Sequence, residues 1–105
     1  SPSHLADWTP ARTRHLAVQA FAMLASALEA VRPGGPVLYC TCALSPGEND
    51  GVLEKLHRKR PGRFELQEVN LPFGEPARYG WQVLPDAAAG RGPLYLALVR
   101  RIPED

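Results

Sequence analysis

The stretch that decides the fold of this chain is residues 34–56, "GGPVLYCTCALSPGENDGVLEKL". Its apolar run from Val37 to Tyr39 has no polar interruption, which is typical of a strand covered on both sides in a parallel sheet. Two cysteines end the strand, and Ser45 and Pro46 then begin a helix that continues through "PGENDGVLEKLHRK". A strand that leads directly into an amphipathic helix predicts the α/β class.

A longer helix is predicted before this stretch. Thr9 and Pro10 are typical of a helix N-terminus, with Thr9 as the capping residue. Apolar residues then recur at helical spacing up to Val31. The sequence "RPGG" at residues 32–35 ends the helix.

Two further strands are predicted after the second helix, at residues 63–71 and 93–101. A loop rich in Pro and Gly joins them, from about residue 72 to 93. The predicted order is therefore helix, strand, helix, strand and strand, which indicates the second half of an open α/β sheet. We expect so small a sheet to expose unpaired apolar backbone along its inner edge.

Length and composition limit the possible functions. The chain has 105 residues, a formal net charge of +1 and 22% charged residues, so it is one domain or less, and its overall charge indicates neither a nucleic acid nor a membrane partner. No apolar run is long enough to span a bilayer, and the first residues lack the pattern of a signal peptide. We therefore predict a soluble cytoplasmic protein that does not bind a membrane, with both cysteines as free thiols.

The two cysteines admit several interpretations. Cys40 and Cys42 lie on the same face of the predicted strand, and Cys42 is at its carboxyl end, where open α/β sheets bind their ligands. The amino end of the following helix favours a thiolate there, as a nucleophile requires. The spacing by itself favours the other interpretation, in which both are small buried apolar side chains. No metal site is predicted, because one Cys-x-Cys pair and the scattered His4, His15 and His57 supply too few ligands.

Residues 32–53, "RPGGPVLYCTCALSPGENDGVL", resemble a segment of the Nol1/Nop2/Sun family of RNA cytosine-5 methyltransferases. In that family a glycine pair precedes a strand that ends in Tyr-Ser-Thr-Cys, and Pro-x-Glu-Asn follows at the head of a helix. The chain departs from the family pattern at Cys40, where serine or alanine is usual, and at Gly47, where an acid is common. The matching positions are Gly34, Gly35, Tyr39, Thr41, Cys42, Pro46, Glu48 and Asn49.

The likeness extends over most of the chain. Trp8 and the helix after it are similar to the helix that the family places before this strand. The tail from Gly80 to Arg101 resembles the last segment of bacterial Sun-type ribosomal RNA enzymes. The resemblance implies that residues 1–105 form the C-terminal half of a Rossmann-like S-adenosylmethionine-dependent methyltransferase domain and lack its N-terminal donor-binding half. Alone, the chain is expected to be inactive.

The resemblance also implies a mechanism. Cys42 matches the thiol that adds to C6 of cytosine, which makes C5 nucleophilic enough to accept a methyl group from S-adenosylmethionine. The target base must first leave its stack. The family's glycine-rich donor turn and its Pro-Cys motif are missing from this sequence, so no cofactor-binding residue is assigned. The expected partners are RNA and the missing N-terminal half of the domain. The likeness of the tail to ribosomal RNA enzymes implies that the RNA is ribosomal RNA.

A basic segment at residues 56–63, "LHRKRPGR", is the candidate RNA contact. Its cationic side chains are suited to phosphates. A basic helix C-terminus is also favoured by the helix dipole without any partner, so both interpretations stay open. Tyr79 and Trp81 are candidates for stacking on a base or for core packing. The predicted RNA-binding residues are Arg58, Lys59, Arg60 and Arg63.

Two other functions remain as alternatives. The chain is compatible with a catalytically silent RNA-binding or assembly module of the same fold, in which Cys42 only fills space. An unrelated redox protein would use Cys40 and Cys42 as a reversible disulfide, which the geometry of neighbouring strand residues disfavours.

Overall fold

The computed structural model describes residues 10–43, 46–85 and 93–103, with backbone alone for residues 10–13. Its elements confirm the predicted order of helix, strand, helix, strand and strand. The proposed cap Thr9 and the residue Ser45 lie outside the described residues. The elements are α1 Pro10–Ala30, β1 Pro36–Thr41, a 3₁₀ helix Pro46–Glu48, α2 Asp50–Lys59, β2 Phe64–Gln67, β3 Glu75–Pro76, β4 Trp81–Val83 and β5 Leu94–Arg101.

The region predicted as a loop from about residue 72 to 93 contains two strands, so that prediction was wrong in part. β4 pairs with β5 from Trp81↔Leu96 to Val83↔Leu94, and β3 pairs with β4. Strands of two and three residues are too short to show an alternating pattern among Pro and Gly, and they form because the neighbouring strand supplies hydrogen-bond partners. The second predicted strand is also shorter than expected, four residues instead of nine.

β5 is the central strand of the described sheet. β1 pairs with one side of β5 along its whole length, from Pro36↔Arg100 to Thr41↔Tyr95. β2 and β4 lie end to end on the other side. Every described pairing is antiparallel, so the expected parallel ladder is not found within the described strands; β1 and β2 run parallel to each other but are separated by β5.

Both helices contribute to one core on one face of the sheet. Alternate residues of β5 point into it, because successive strand side chains face opposite ways. α2 buries the three apolar residues of its inner face, as its sequence predicts. The core residues are Leu24, Ala25, Leu28, Val52, Leu53, Leu56, Phe64, Tyr95, Ala97 and Val99.

The opposite face of β1 is exposed, which corrects the prediction of a strand covered on both sides. Leu38 is 58% exposed, whereas Val37 and Tyr39 on the helix side pack against the core. Among the described strands β1 pairs only with β5, so the edge of β1 that faces away from β5 is unpaired. This is the exposed edge that the sequence predicted for so small a sheet. The described helices include no segment long and apolar enough to cross a membrane.

Candidate active site

The two cysteines lie at the carboxyl end of β1. Cys40 pairs opposite Leu96, and the last ladder pair is Thr41↔Tyr95, so Cys42 is the first residue beyond the sheet. Both thiols are free and exposed. Since Tyr39 packs against the core, the alternate residue Cys40 faces away from the helices.

The surroundings of Cys40 disfavour its thiolate form. Partial desolvation raises the pKa of its thiol, and the neighbouring Cys42 raises it further when charged. Because the thiolate is the reactive form, a raised pKa lowers the reactive fraction of Cys40 at neutral pH.

Ala43, the residue after Cys42, forms hydrogen bonds through both its main-chain N–H and its carbonyl oxygen. The N–H of Ala43 donates to Thr41 Oγ1 at 2.9 Å, a local turn over two residues. The carbonyl of Ala43 accepts from Asn49 Nδ2, also at 2.9 Å. The chain that leaves β1 is thus tied to the amino end of α2, and Cys42 lies between the ladder and this tie.

A tyrosine on β1 helps to fix the start of α2. Tyr39 Oη donates to the main-chain oxygen of Glu48. Burial raises the pKa of Tyr39 to about 12, and the Glu48 carboxylate adds to the increase. Desolvation also raises the pKa of the Glu48 carboxyl. The phenol therefore remains a hydrogen-bond donor at neutral pH, and it links the middle of β1 to the 3₁₀ helix.

Asp50 is the acceptor that joins three elements near this end of the sheet. Its Oδ1 accepts from Tyr95 Oη at 2.6 Å and from the N–H of Tyr79 at 2.9 Å, and its Oδ2 accepts from the N–H of Arg78 at 3.1 Å. Burial raises the pKa of Tyr95, and the hydrogen bond to Asp50 raises it further. Asp50 therefore fixes α2 to β5 and to the segment before β4.

The predicted RNA-binding residues lie at the other end of the sheet. The ten residues of α2 span about 15 Å, and the basic residues lie at or just beyond its carboxyl end, opposite to the end near Cys42. Arg58, Lys59 and Arg63 are exposed, whereas Arg60 is half-buried and its Nε lies 3.2 Å from Glu29 Oε1. The structure brings these residues together with one another and not with Cys42.

A shallow depression of about 240 Å³ adjoins these residues, and Arg60, Arg63 and Arg101 are among those that line it. Arg101 Nη1 donates to the main-chain oxygens of Glu29 and Val31 at 2.8 and 2.6 Å. Arg101 therefore stabilises the end of α1, so this basic surface has a structural function in part.

The two aromatic candidates for base stacking have different environments. Trp81 is 8% exposed, and its Nε1 donates to the main-chain oxygen of Phe73 at 2.7 Å, so it is a core residue. Tyr79 is half-buried, packs against the core, and has its ring centre 5.4 Å from that of His57. Core packing thus explains both rings.

The family profile described as "16S rRNA methyltransferase RsmB/F" matches residues 7–100. The chain belongs to this family. The family prediction made from the Thr-Cys segment is thereby confirmed, and Cys42 and the Asn49 tie both lie within the matched range.

Two curated relatives and one solved structure illustrate the similarity. The mitochondrial tRNA (cytosine(34)-C(5))-methyltransferase of Danio rerio is 36% identical over 76% of this chain and 24% of its own length. Ribosomal RNA small subunit methyltransferase F of Escherichia coli O9:H4 (strain HS) is 35% identical over 70% of this chain and 15% of its own length. The chain thus spans a quarter or less of these relatives.

The solved structure of a methyltransferase homolog protein from Pyrococcus horikoshii has a similar fold. It superposes with a TM-score of 0.77 and 24% identity over 90% of this chain and 34% of its own length. The predicted fold class, α/β and part of a Rossmann-like methyltransferase domain, is confirmed.

The described residues of this RsmB/F family member do not form a cradle for S-adenosylmethionine. A tight ligand-binding turn between a strand and a helix requires glycines that adopt positive φ or allow close approach. The described glycines with positive φ are Gly34, Gly62 and Gly74, and each precedes a strand instead of a helix. None of these three glycines therefore forms a strand-to-helix turn of the kind that holds a methyl donor. The described residues also contain no group of three or more His, Cys, Asp or Glu that is suited to a metal ion.

The sequence patterns assigned no function to two residues near the site, Asn49 and Asp50. Asn49 matches the family motif, but a pattern of letters does not show that its side chain bonds to Ala43. Asp50 lies in the first turn of its helix, and no local pattern indicates that it accepts bonds from residues up to 45 positions away. The motif itself was the only available signal for Asn49.

Proposed function

We propose that this chain is the part of an RNA cytosine-5 methyltransferase that carries the attacking thiol, Cys42. The observation that carries the proposal is the exposed thiol directly beyond the carboxyl end of β1. The next residue, Ala43, is hydrogen-bonded through both its N–H and its carbonyl oxygen. Membership of the RsmB/F family supports it, as do relatives named for cytosine-5 or ribosomal RNA methylation.

The proposed chemistry uses Cys42 as a temporary covalent catalyst. Its thiolate forms a bond to C6 of a cytosine that has left its stack, and the electron pair of the C5–C6 bond moves so that C5 becomes nucleophilic. After C5 has accepted a methyl group, loss of the C5 proton restores the double bond and expels the thiolate. S-adenosylmethionine is the proposed source of the methyl group.

We further propose that residues 1–105 are one part of the catalytic domain and that the donor is bound by a preceding N-terminal part. The chain spans 24% and 15% of the two curated relatives, which leaves ample length there for a donor-binding half. The described residues alone do not fit the donor, so the chain by itself is expected to be inactive. Its free thiols suit a reducing compartment such as the cytoplasm.

Arg58, Lys59 and Arg63 are proposed to contact phosphates of the RNA, with ribosomal RNA as the substrate class. Their exposure leaves the cationic groups accessible, and phosphate contacts add affinity without reading sequence. Arg60 is the weaker candidate of the predicted four, because it already pairs with Glu29. A substrate that reaches both this cluster and Cys42 must extend about 15 Å along α2.

The test uses the intact enzyme and RNA that contains 5-fluorocytosine. Fluorine at C5 prevents the proton loss that frees the thiol, so the enzyme with an intact nucleophile accumulates a covalent adduct with RNA that survives denaturation. Cys42→Ala is expected to form no adduct and to transfer no methyl group to ordinary RNA. Cys40→Ala is the matched control and is expected to retain both.

Two other outcomes would assign the chain differently. If Cys42→Ala still forms the adduct and methylates RNA, Cys42 is not the nucleophile. If the wild-type protein binds RNA but never forms an adduct or transfers a methyl group, the silent RNA-binding or assembly module is the better description.

A further inference from the structure

The side chain of Asn49 makes an unexpected contact. Asn49 is the residue before α2, a position where asparagine ordinarily accepts a hydrogen bond from the first turn of the helix. No such capping bond is present, although it stabilises helices in other proteins. The helix therefore begins without the stabilisation that this residue type usually provides.

The amide of Asn49 is directed to the residue after Cys42 instead. Nδ2 donates to the carbonyl of Ala43 at 2.9 Å, and a carbonyl can only accept, so the donor must be the amide nitrogen. The amide oxygen, Oδ1, is buried and has no hydrogen-bond partner in the described chain. A buried acceptor without a partner is destabilising, so two local costs accompany the bond to Ala43.

This bond ties the Cys42 segment to a helix. β1 ends at Thr41, and the contact from Thr41 Oγ1 to Ala43 spans two residues and moves with the strand end. The Asn49 contact spans six residues and is, among the described residues, the hydrogen bond that connects Ala43 to another element. This hydrogen bond holds the backbone of Ala43, the residue immediately after the Cys42 thiol.

The donor is itself well anchored. The main-chain N–H of Asn49 donates to the oxygen of Pro46 at 3.2 Å, and its oxygen accepts from the N–H of Val52 at 3.1 Å. The preceding residue, Glu48, accepts from the phenol of Tyr39. The amide is thus held by the first turn of α2 and by β1 itself, which makes it a suitable fixed point.

We propose that Asn49 is a positioning residue for the Cys42 thiol. By holding the Ala43 carbonyl it fixes the backbone on the side of Cys42 that the sheet does not hold. The inference rests on the proposed function of Cys42. Local rules of helix capping are commonly broken where a site needs the side chain elsewhere, and a displacement of about 1 Å of a reacting group costs on the order of 100-fold in rate.

The decisive variant in the intact enzyme is Asn49→Asp, which keeps the shape of the side chain but places an acceptor against the Ala43 carbonyl. Methyl transfer at saturating RNA is expected to fall by about 10- to 100-fold, while the RNA dissociation constant stays within about two-fold. The negative charge suits the helix N-terminus and offsets part of the cost of a buried carboxylate beside the Ala43 carbonyl, so thermal stability is expected to fall only slightly.

Two companion variants complete the test. Asn49→Gln retains an amide donor and is expected to be faster than Asn49→Asp, although its extra methylene shifts the donor. Asn70→Asp makes the same chemical change at an exposed asparagine and is expected to keep the wild-type rate. A purely structural role would instead lower the stability of Asn49→Asp and its RNA affinity together.

The outcomes separate this inference from the proposed function. A wild-type rate of methyl transfer in Asn49→Asp, with Cys42→Ala inactive, overturns the positioning role and leaves the nucleophile in place. Full activity in Cys42→Ala overturns the proposed nucleophile itself, and the inference about Asn49 with it.

Discussion

The two ends of the sheet are held by different kinds of interaction. Near Cys42, side chains bond to the backbone of other elements: Tyr39 to the 3₁₀ helix, Asn49 to the chain after β1, and Asp50 to the segment before β4. At the basic end, Arg101 also bonds to main-chain oxygens, those of Glu29 and Val31, but exposed ion pairs are added there: Arg60–Glu29 and Arg100–Glu65, with N–O distances of 3.2 and 3.8 Å.

The energies of these interactions differ accordingly. Exposed ion pairs contribute about 0–1 kcal/mol and are screened by salt, whereas a satisfied hydrogen bond to a partly buried group contributes about 1 kcal/mol and costs more when one partner is lost. The Cys42 end is therefore held in a fixed geometry, which suits the proposed role of Cys42 as a nucleophile. The basic end keeps exposed charges, which suits the proposed contacts with phosphates.

The largest expected effect on stability comes from Gly80→Ala. A methyl group at this position would overlap the carbonyl oxygen of Leu96 and come within 3.2 Å of the Cα of Ala97, so β4 and β5 must separate. We expect a loss of about 3 kcal/mol in the free energy of unfolding, measured by urea denaturation.

The matched control for that variant lies at the basic end. Gly62→Ala meets no atom within 4 Å and is strained only by its φ of 72°, which predicts a loss of about 1 kcal/mol. Equal losses in Gly80→Ala and Gly62→Ala would mean that the close approach of Gly80 to β5 does not add to the cost of a methyl group.

A smaller effect is expected from Tyr39→Phe, which removes the hydrogen bond to the Glu48 carbonyl. At pH 8 the loss should be about 1 kcal/mol in the free energy of unfolding. The pKa of Tyr39 is raised from 10.0 to about 12, so the wild-type phenol binds more protons when folded than when unfolded between these pH values. Wild-type stability therefore falls as the pH rises from about 10 to about 12.

The phenylalanine variant lacks this contribution, so the difference between the two proteins should shrink between pH 8 and pH 12. Urea denaturation at pH 8, 10, 11 and 12 measures it. Tyr95, whose pKa is also raised, is present in both proteins, so its contribution cancels except for the part of the rise that a charged Tyr39 causes. A difference that stays constant with pH would contradict the prediction.

The smallest effect on stability is expected for Lys59→Ala and Arg63→Ala at the basic end. Each should change the free energy of unfolding by less than about 0.5 kcal/mol, because both side chains are exposed. Each should weaken binding of the intact enzyme to RNA and reduce the slope of log affinity against log salt concentration by about 1.

Lys55→Ala is the control for charge removal on the same helix. Lys55 Nζ lies 4.6 Å from the ring centre of Phe21, outside the basic cluster. Its salt slope should match that of the wild-type protein. An unchanged slope in Lys59→Ala and Arg63→Ala would remove these residues from the RNA contact.

Much of the fold was predictable because the local signals agree with one another. The apolar spacing of α1, the glycine pair before β1, and the inward face of α2 with Val52, Leu53 and Leu56 each indicated an element that the structure contains. β3 and β4 were not predictable, since their two and three residues pair only because β5 is beside them.

The candidate site likewise has a part that the sequence predicts and a part that it does not. A strand, a thiol at its end and a helix that starts a few residues later are local features, so the sequence by itself determined the location of Cys42 and the elements that flank it. The contacts of Asn49 and Asp50 depend on how α2 is packed against β1 and β5. Hydrogen bonds between distant residues need both partners in their final positions, and only the tertiary structure decides those positions.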